Sequence, residues 1–312
     1  MVTSGTSFFT GLDIISTPNN DQMKIHMKKT IQQLSLCLLI SLSAINSNHL
    51  FAEEAIHEAP MPAQEDRNGG FLKLGYGYKI EVSPYESEVN HFSMFLNGRY
   101  QWHGLFVEAS YGANERNEGL SIGYNFYNTD NWNFDINTIN AHGEIHAEIR
   151  DQEKILSQHF DNTDMIGLRA TGNFDQTTVQ FMLAPYAIDS DYDDAIYASM
   201  WLGRSWQVKN WELHGSIGLE YRSQEMLDHY YGISAEEATE HFGPYEADAG
   251  IDVTAQISAS YPISANILFE SYFKYTDFAS SISNSPVMKF AGSFGDRAEE
   301  RTEVGILVSY VF

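Results

Sequence analysis

The sequence is poor in cysteine, in basic residues and in long apolar runs. It has one cysteine, Cys37, and its 18 Lys and Arg face 42 Asp and Glu, for a net charge of −24. So little cysteine excludes a fold that depends on disulfides. The acidity argues against nucleic acid as a partner, because basic patches supply most of the affinity for phosphate. After residue 52, no apolar run approaches the ~20 residues that a membrane-spanning helix needs.

The composition is nevertheless that of a membrane protein, with 43% hydrophobic and 13% aromatic residues. A chain without apolar helices can cross a bilayer only as a closed β-barrel, because every backbone polar group must be paired there. The sequence therefore predicts an all-β fold, a transmembrane antiparallel up-and-down barrel.

The first 69 residues are predicted to lie outside the barrel. Lys28 and Lys29 precede an apolar stretch at 34–45, and Ala52 follows at a plausible cleavage point, which is the layout of a secretory signal. We interpret 1–52 as an extension with a cleaved signal peptide, with the start at Met1, Met23 or Met27 left open. Residues 53–69 are predicted to be a flexible periplasmic segment and residues 70–312 the barrel.

About twelve strands are predicted from apolar residues that alternate with polar ones and from the turn residues between them. They lie near 70–82, 91–102, 104–111, 118–127, 131–140, 163–171, 176–186, 194–206, 211–222, 250–261, 265–277 and 302–312. Short connections alternate with longer ones, as in outer-membrane barrels with short periplasmic turns. The strand at 194–206 is apolar on both faces, so its orientation stays open.

The strand at 302–312 is predicted to close the barrel. Val304, Ile306, Val308, Tyr310 and Phe312 fall on one face. An exposed apolar edge invites aggregation, and pairing the last strand with the first removes that edge. The terminal aromatic Phe312 resembles the C-terminal assembly signature of bacterial outer-membrane barrels.

The side chains divide into an interfacial set and a lumen set. The interfacial aromatic girdles are assigned to Tyr100, Trp102, Tyr127, Trp132, Trp206, Trp211, Tyr261 and Tyr310. The lumen charges are assigned to Lys73, Lys79, Arg99, Glu108, Asp135, Arg169, Glu220, Glu270 and Lys274. Mixed signs in a narrow barrel favour a plug of ion pairs. Twelve strands lie between the filled barrel of eight and the water-filled one of sixteen, so the sequence leaves open whether a pore conducts.

No residues assemble a recognisable reactive site. His142, Glu144, His146 and Glu148 share one face of an extended segment in a predicted outer loop, but without a defined ligand geometry they indicate a metal only weakly. The acidic stretch at 189–194 lacks the glycine and final glutamate of a helical calcium loop. We therefore predict no catalytic, cofactor or metal residues, and no enzyme.

The connection at 223–249 is predicted to carry a short helix. Ser234 would be its N-cap and Glu237 the capping-box partner three residues later. Such a helix in an outer loop could fold over the mouth of the barrel.

Several short segments resemble the MipA/OmpV family of outer-membrane proteins. They are 231–238, 247–250, 261–264, 285–287, 305–312 and the opening 74–78 with Pro84 and Tyr85. The resemblance implies a non-enzymatic scaffold in the outer membrane of a Gram-negative cell, linked to a murein-degrading lytic transglycosylase and a peptidoglycan synthase. Other members of the family are surface antigens or adhesins. The alternatives are such a surface-contact role or a cation-preferring pore, and the lipid partners are outer-membrane lipid and lipopolysaccharide.

Overall fold

A computed structural model describes most of the chain after residue 67. The described residues are 68–82, 89–111, 119–143, 145–151, 154–160, 162–188, 194–238, 243–286, 288–289 and 300–312. The predicted signal region at 1–52 and nearly all of the segment at 53–69 lie outside them.

The described residues form fourteen strands, twelve of which close into one antiparallel barrel. The barrel strands are β1 (Gly69–Val82), β2 (Val89–Trp102), β3 (Leu105–Tyr111), β4 (Gly119–Asn128), β5 (Trp132–His142), β8 (Thr163–Phe174), β9 (Thr177–Ile188), β10 (Tyr197–Val208), β11 (Trp211–Arg222), β12 (Gly250–Pro262), β13 (Ile267–Asp277) and β14 (Glu300–Val311). Each strand pairs with its predecessor, except that β8 pairs with β5. The predicted twelve-stranded up-and-down barrel is confirmed.

The first and last strands seal the sheet, as predicted from the terminal segment. β1 and β14 pair antiparallel from Lys73 opposite Val311 to Val82 opposite Thr302. This pairing removes the open edge, so the backbone groups of both strands are satisfied within the barrel.

Alternation along each strand separates a lipid face from a lumen face. On β1, Tyr76 is 59% exposed whereas its neighbours Gly75 and Gly77 are buried. The ambiguous strand β10 is resolved in the same way: Trp201 points into the lumen at 2% exposure, and Leu202 faces outward. A large aromatic fits inside at this point because Gly218 of β11 faces the Trp201 ring without a side chain of its own.

The two ends of the barrel differ in their connections. Turns of two to four residues join β2 to β3, β4 to β5, β8 to β9, β10 to β11 and β12 to β13 at one end. His103, Asp175 and Lys209 adopt positive φ in three of them, which a tight hairpin turn requires. The predicted aromatics cluster near this end, for example Trp211 with Tyr261 at 5.1 Å between ring centroids. We take this end as periplasmic.

The longer connections at the other end hold further elements. Within the predicted loop at 141–162, β6 (Ile145–Asp151) and β7 (Lys154–Phe160) form a separate two-stranded sheet. Helix α1 spans Gln224–Tyr231 and the short helix α2 spans Ser280–Ser283. In the described residues, no helix is long and apolar enough to cross a membrane.

The prediction of a helix that begins at Ser234 is wrong in its position. The helix of this connection, α1, lies upstream, and residues 235–237 form a turn. The capping interactions were identified correctly, since the Ser234 amide and hydroxyl both donate to Glu237 Oε2 at 3.0 and 2.7 Å. A capping pair stabilises one turn but does not extend it into a helix without a buried apolar stripe behind it. The stripe belongs to α1, where Met226, Leu227 and Tyr230 are buried.

Candidate functional site: the closed lumen

The periplasmic half of the lumen contains a network of four charged side chains. Arg99 of β2, Glu108 of β3, Asp135 of β5 and Arg169 of β8 all point inward along one wall. Arg169 bridges both carboxylates, with 2.9 Å to Glu108 Oε1 and 2.9 Å to Asp135 Oδ2. Arg99 adds a bond of 3.1 Å to Glu108. Two cations thus balance two anions in a low-dielectric interior, where an unpaired charge is costly.

Uncharged neighbours add further contacts to this network. The Arg99 guanidinium lies 3.8 Å from the centre of the Phe106 ring, a cation–π contact. Asn125 of β4 donates to Asp135 Oδ1 at 2.9 Å and exchanges hydrogen bonds with Asn128. The network therefore joins side chains of four consecutive strands and β8 into one rigid layer.

The adjoining wall of β1, β13 and β14 carries two smaller charge groups. Lys73 Nζ lies 2.7 Å from Glu270 Oε1, and Ser309 Oγ donates to the same carboxylate at 2.6 Å. Nearer the outer end, Lys79 and Arg301 both pair with Glu81, at 2.9 and 2.7 Å. Lys73, Lys79 and Glu270 were predicted as lumen charges and are paired, whereas Glu81 and Arg301 were not predicted.

The outer half of the lumen holds a cluster of buried apolar side chains, which we call the plug. It joins α1 and the segments after β11 and β13 to inward-facing side chains of β5, β8, β9 and β10. Its buried members are Ile139, Ala141, Met165, Met182, Ala184, Ala195, Tyr197, Met226, Leu227, Tyr230, Tyr231, Ala247, Ala279, Ile282 and Met288. The described part of the 223–249 connection packs against the outer ends of β5 and β8, which agrees with the prediction that it folds over the mouth of the barrel.

Two tyrosines fasten the plug to the barrel wall. Tyr230 stacks on the His142 imidazole, with 3.7 Å between ring centres and 16° between planes, and its hydroxyl lies 2.7 Å from Thr163 Oγ1. The Tyr231 hydroxyl lies 2.9 Å from His142 Nε2. Each contact satisfies a polar atom at the buried end of β5 or β8, so α1 has a defined position in the lumen.

Hydrogen bonds also tie the two plug segments to each other. The Tyr245 hydroxyl donates to the Ser281 carbonyl oxygen, and Ser285 Oγ donates to the Tyr231 carbonyl oxygen, both at 2.7 Å. The Ala247 amide donates to Asp228 Oδ1 at 2.8 Å.

A further charge group lies beside the plug, at the outer ends of β11 and β12. Arg222 pairs with Asp252 and with Glu220, and its Nε donates to the Ala141 carbonyl oxygen at 2.9 Å. Asp252 also accepts from the Ala279 amide at 2.8 Å. The guanidinium therefore links β11, β12 and β5, while its partner Asp252 holds the start of α2.

Two groups in the outer connections have shifted pKa values. Hydrogen bonds from the Ser234 side chain and amide lower the pKa of the Glu237 carboxyl. Burial raises the pKa of the Tyr245 hydroxyl, and the nearby carboxylates of Asp248 and Asp228 add to the rise. Both shifts follow from local structure and neither creates a reactive group.

Of the four residues considered as a weak metal cluster, only His142 has a described side chain. His142 is not in a loop but ends β5, buried against the two tyrosines. Glu144 and the side chains of His146 and Glu148 lie outside the described residues. Among the side chains that are described, no group of three His, Cys, Asp or Glu could hold a metal ion. Residues 189–193 of the acidic stretch are also outside the described residues.

Sequence reasoning found the lumen charges but missed the plug. All nine predicted charges lie on the lumen side of their strands, because period two determines the facing of each residue. Arg222 and Asp252 were missed as partners, and the burial of Tyr230 and Tyr231 was not foreseen. The available signal was the apolar spacing of Met226, Leu227 and Tyr230, which is helical.

Comparison with known proteins identifies the family. The model of the family described as MltA-interacting protein MipA matches residues 74–312. No curated protein matches the chain. Similar solved structures include the KdgM porin, with 12% identity and a TM-score of 0.36 over 76% of this chain and 99% of that one. OmpT of Vibrio cholerae has 6% identity and a TM-score of 0.37 over 80% and 99%. OprD from Pseudomonas aeruginosa has 13% identity and a TM-score of 0.33 over 77% and 65%.

The barrel is closed and antiparallel, its outer surface is apolar, and its short turns lie at one end. The family model matches nearly all of the described residues. The chain belongs to the MltA-interacting protein MipA family and is an outer-membrane β-barrel protein.

Proposed function

We propose that this protein is a non-enzymatic scaffold whose barrel does not conduct and whose periplasmic end holds a murein-degrading enzyme. The observation that carries the proposal is the filled lumen, with ion pairs in the periplasmic half and the plug in the outer half. A barrel filled in this way offers surfaces rather than a passage. The name of the family, MltA-interacting protein, supports a lytic transglycosylase as the partner.

The periplasmic surface available for docking is small. It consists of five short turns, such as His103 with Gly104 and Lys209 with Asn210, and of the chain before β1. A standard specific interface buries about 800 Å² on each partner. We therefore assign part of the interface to the predicted periplasmic segment at 53–69, whose residue Asn68 is held to the first turn by accepting from the His103 amide at 2.9 Å.

A binding experiment tests the scaffold directly. The purified barrel with residues 53–312 would be captured in detergent and exposed to a purified MltA-type lytic transglycosylase, with binding measured by biolayer interferometry. We expect saturable binding that weakens at least about tenfold, or ~1.4 kcal/mol, when residues 53–67 are removed. A matched variant with β6 and β7 removed at the other end should bind as the intact protein does. Absence of saturable binding to the intact barrel contradicts the scaffold.

A surface-contact role is the second candidate, because one feature favours it. The β6–β7 hairpin pairs within itself and stands apart from the barrel sheet at the outer end. Because this hairpin is not part of the barrel sheet, we assign it to contact with a partner outside the cell. Adhesion of whole cells that is lost on removing β6 and β7, with no transglycosylase binding, would favour this role over the scaffold.

A further inference from the structure

We call the boundary between β4 and β5 in the barrel wall the seam. Along it, backbone pairing covers only part of the two strands. The described pairs run from Asn128 opposite Asn133 to Gly123 opposite Asn137. β4 continues to Gly119 in its pairing with β3, and β5 continues to the end of the strand in its pairing with β8. In the outer half of the seam, the described residues of β4 and β5 therefore do not pair through their backbones.

Side chains replace the backbone ladder at the point where it stops. The Ile122 amide donates to Thr138 Oγ1 at 3.0 Å instead of to a carbonyl of β5. Ser121 Oγ donates to the Thr138 carbonyl oxygen at 2.6 Å. Two hydroxyl groups therefore hold the strands together where carbonyl and amide groups hold the rest of the wall.

A small cavity lies in this seam and is lined from both faces of the wall. Its volume is about 20 Å³, which is enough for one oxygen-sized group. Leu120 and Thr138 line it from the lipid side, and Asn137, Ser110 and Arg169 line it from the lumen side. The cavity therefore brings polar lumen groups to the edge of the hydrocarbon.

Asn137 has an acceptor at this cavity that nothing satisfies. The side chain is 3% exposed, and its Oδ1 has no hydrogen-bond partner. The orientation of the amide is determined by its nitrogen, which donates to Ser121 Oγ at 2.9 Å and to the Thr138 carbonyl oxygen at 3.0 Å. A flipped amide would place oxygen against the carbonyl oxygen, so Oδ1 is the free atom. Buried acceptor atoms normally have hydrogen-bond partners, whereas Asn137 Oδ1 lacks a donor.

The lipid side of the seam is an apolar track in the outer half of the barrel. Leu120, Ile122 and Ile136 are 57%, 56% and 42% exposed and lie beside one another on β4 and β5. A hydroxyl on an acyl chain finds no partner within hydrocarbon, where polar groups cost free energy unless they are hydrogen-bonded. A chain lying on this track can place such a hydroxyl beside the unpaired acceptor.

We propose that the β4–β5 seam binds a hydroxyl-bearing acyl chain of an outer-leaflet lipid, with the hydroxyl donating to Asn137 Oδ1 and the chain lying along Leu120, Ile122 and Ile136. The site is independent of the scaffold role, because it lies in the wall and not at the periplasmic turns. It distinguishes a hydroxylated chain from a plain one by a single hydrogen bond.

Paired probes test the site. The barrel in dodecyl maltoside is titrated with methyl 3-hydroxytetradecanoate or with methyl tetradecanoate, which lacks only the hydroxyl, and bound ester is counted by native mass spectrometry. We expect the hydroxylated ester to bind about five- to tenfold more tightly to the intact protein, the gain of one neutral hydrogen bond. Asn137→Leu should reduce this preference to none. The control Gln180→Leu removes another buried lumen amide that does not line the cavity, and it should keep the preference.

A second variant keeps the proposal testable if the Asn137→Leu protein does not fold. Leu120→Trp blocks the cavity from the lipid side without changing a lumen residue, and it should also abolish the preference. Equal binding of the two esters by the intact protein overturns the proposal. A preference that persists in both Asn137→Leu and Leu120→Trp, or one lost equally in Gln180→Leu, overturns it as well.

Discussion

At the scale of single residues, the lumen depends on a few close fits between charged or bulky side chains. Alternation places the charges inside, and that much could be predicted from the sequence. The pairing of these charges could not be predicted, because Arg169 and its partners Glu108 and Asp135 come from strands far apart in the chain. Such pairs depend on the stagger of the strands around the barrel, which no local pattern encodes.

Removing the bridging guanidinium should destabilise the barrel. Arg169→Met leaves Glu108 and Asp135 with only Arg99 as a cation, and breaking a buried pair costs about 3 to 5 kcal/mol. We expect a loss at the lower end of that range, because Glu108 is partly exposed to the lumen. Urea unfolding in lipid vesicles, followed by gel mobility, measures it. Lys209→Met, in an exposed turn, is the control, and an equal loss in both variants would contradict the role of the network.

The contact between Gly218 and Trp201 should tolerate no side chain. A Cβ at Gly218 would lie 2.6 Å from the indole, which is 2% exposed and cannot move aside. Gly218→Val should therefore lower the free energy of unfolding by about 1 to 3 kcal/mol, the usual cost of overpacking. Gly243→Val is the matched control, since no atom lies within 4 Å of a Cβ there. The same urea experiment compares the two, and a stable Gly218→Val protein would show that Trp201 is free to move.

The turn at Ser234 should respond to acid. Because hydrogen bonds lower the pKa of Glu237 from its usual 4.5, the carboxylate stabilises the turn fully above that value, and this stabilisation is lost as the pH falls through the lowered pKa. Ser234→Ala removes one donor and should raise the pKa of Glu237 toward its ordinary value. Titration of the labelled Glu237 carboxyl by NMR measures this change. Glu236→Gln should leave the Glu237 titration in place, and a Ser234→Ala protein with an unchanged Glu237 pKa would rule out the capping bond.

At the scale of elements, strands were predictable and the elements between them were not. The strand predicted at 211–222 matches β11 in its bounds, because an amphipathic strand shows its period over many residues. The hairpin β6–β7 was missed, since its seven-residue strands lie in a predicted loop and form a sheet of their own. Helix α1 was placed too late because Ser234 and Glu237 offered a stronger local signal than the buried stripe upstream.

The hairpin should be dispensable for the barrel. β5 pairs directly with β8, and His142 lies opposite Thr163, so a short linker can replace residues 144–161 without stretching. We expect the deletion variant to fold and to keep its midpoint of thermal unfolding within about 2 °C, since no barrel ladder is lost. The shift in gel mobility on heating measures folding. A variant that fails to fold would show that β6 and β7 take part in barrel formation.

At the scale of the whole molecule, the plug occupies the outer half of the lumen and the charge network the periplasmic half. A barrel of twelve strands is wide enough for a passage only if its interior stays unfilled. Here α1 and the segment after β13 occupy the outer layer and are fastened to β5 and β8 by the two tyrosines. The sequence could not decide between pore and plug, because the decision rests on where the two outer connections fold.

The plug therefore predicts the electrical behaviour of the protein. In planar bilayers the intact barrel should show no steady conductance steps. Replacing residues 224–247 with a short Gly-Ser linker removes α1 and five of the plug residues, and it should produce steady steps that prefer cations, because the carboxylates of Glu220 and Asp252 beside the plug then line an opened lumen. The hairpin deletion is the matched control and should show no conductance.

If the plug deletion does not fold, a second variant tests the same point. Leu227→Glu places a charge in the apolar cluster and should raise the frequency of transient openings. Steady conductance of the intact protein would contradict the closed lumen, and silence of a folded plug deletion would mean that the periplasmic charge network alone closes the barrel.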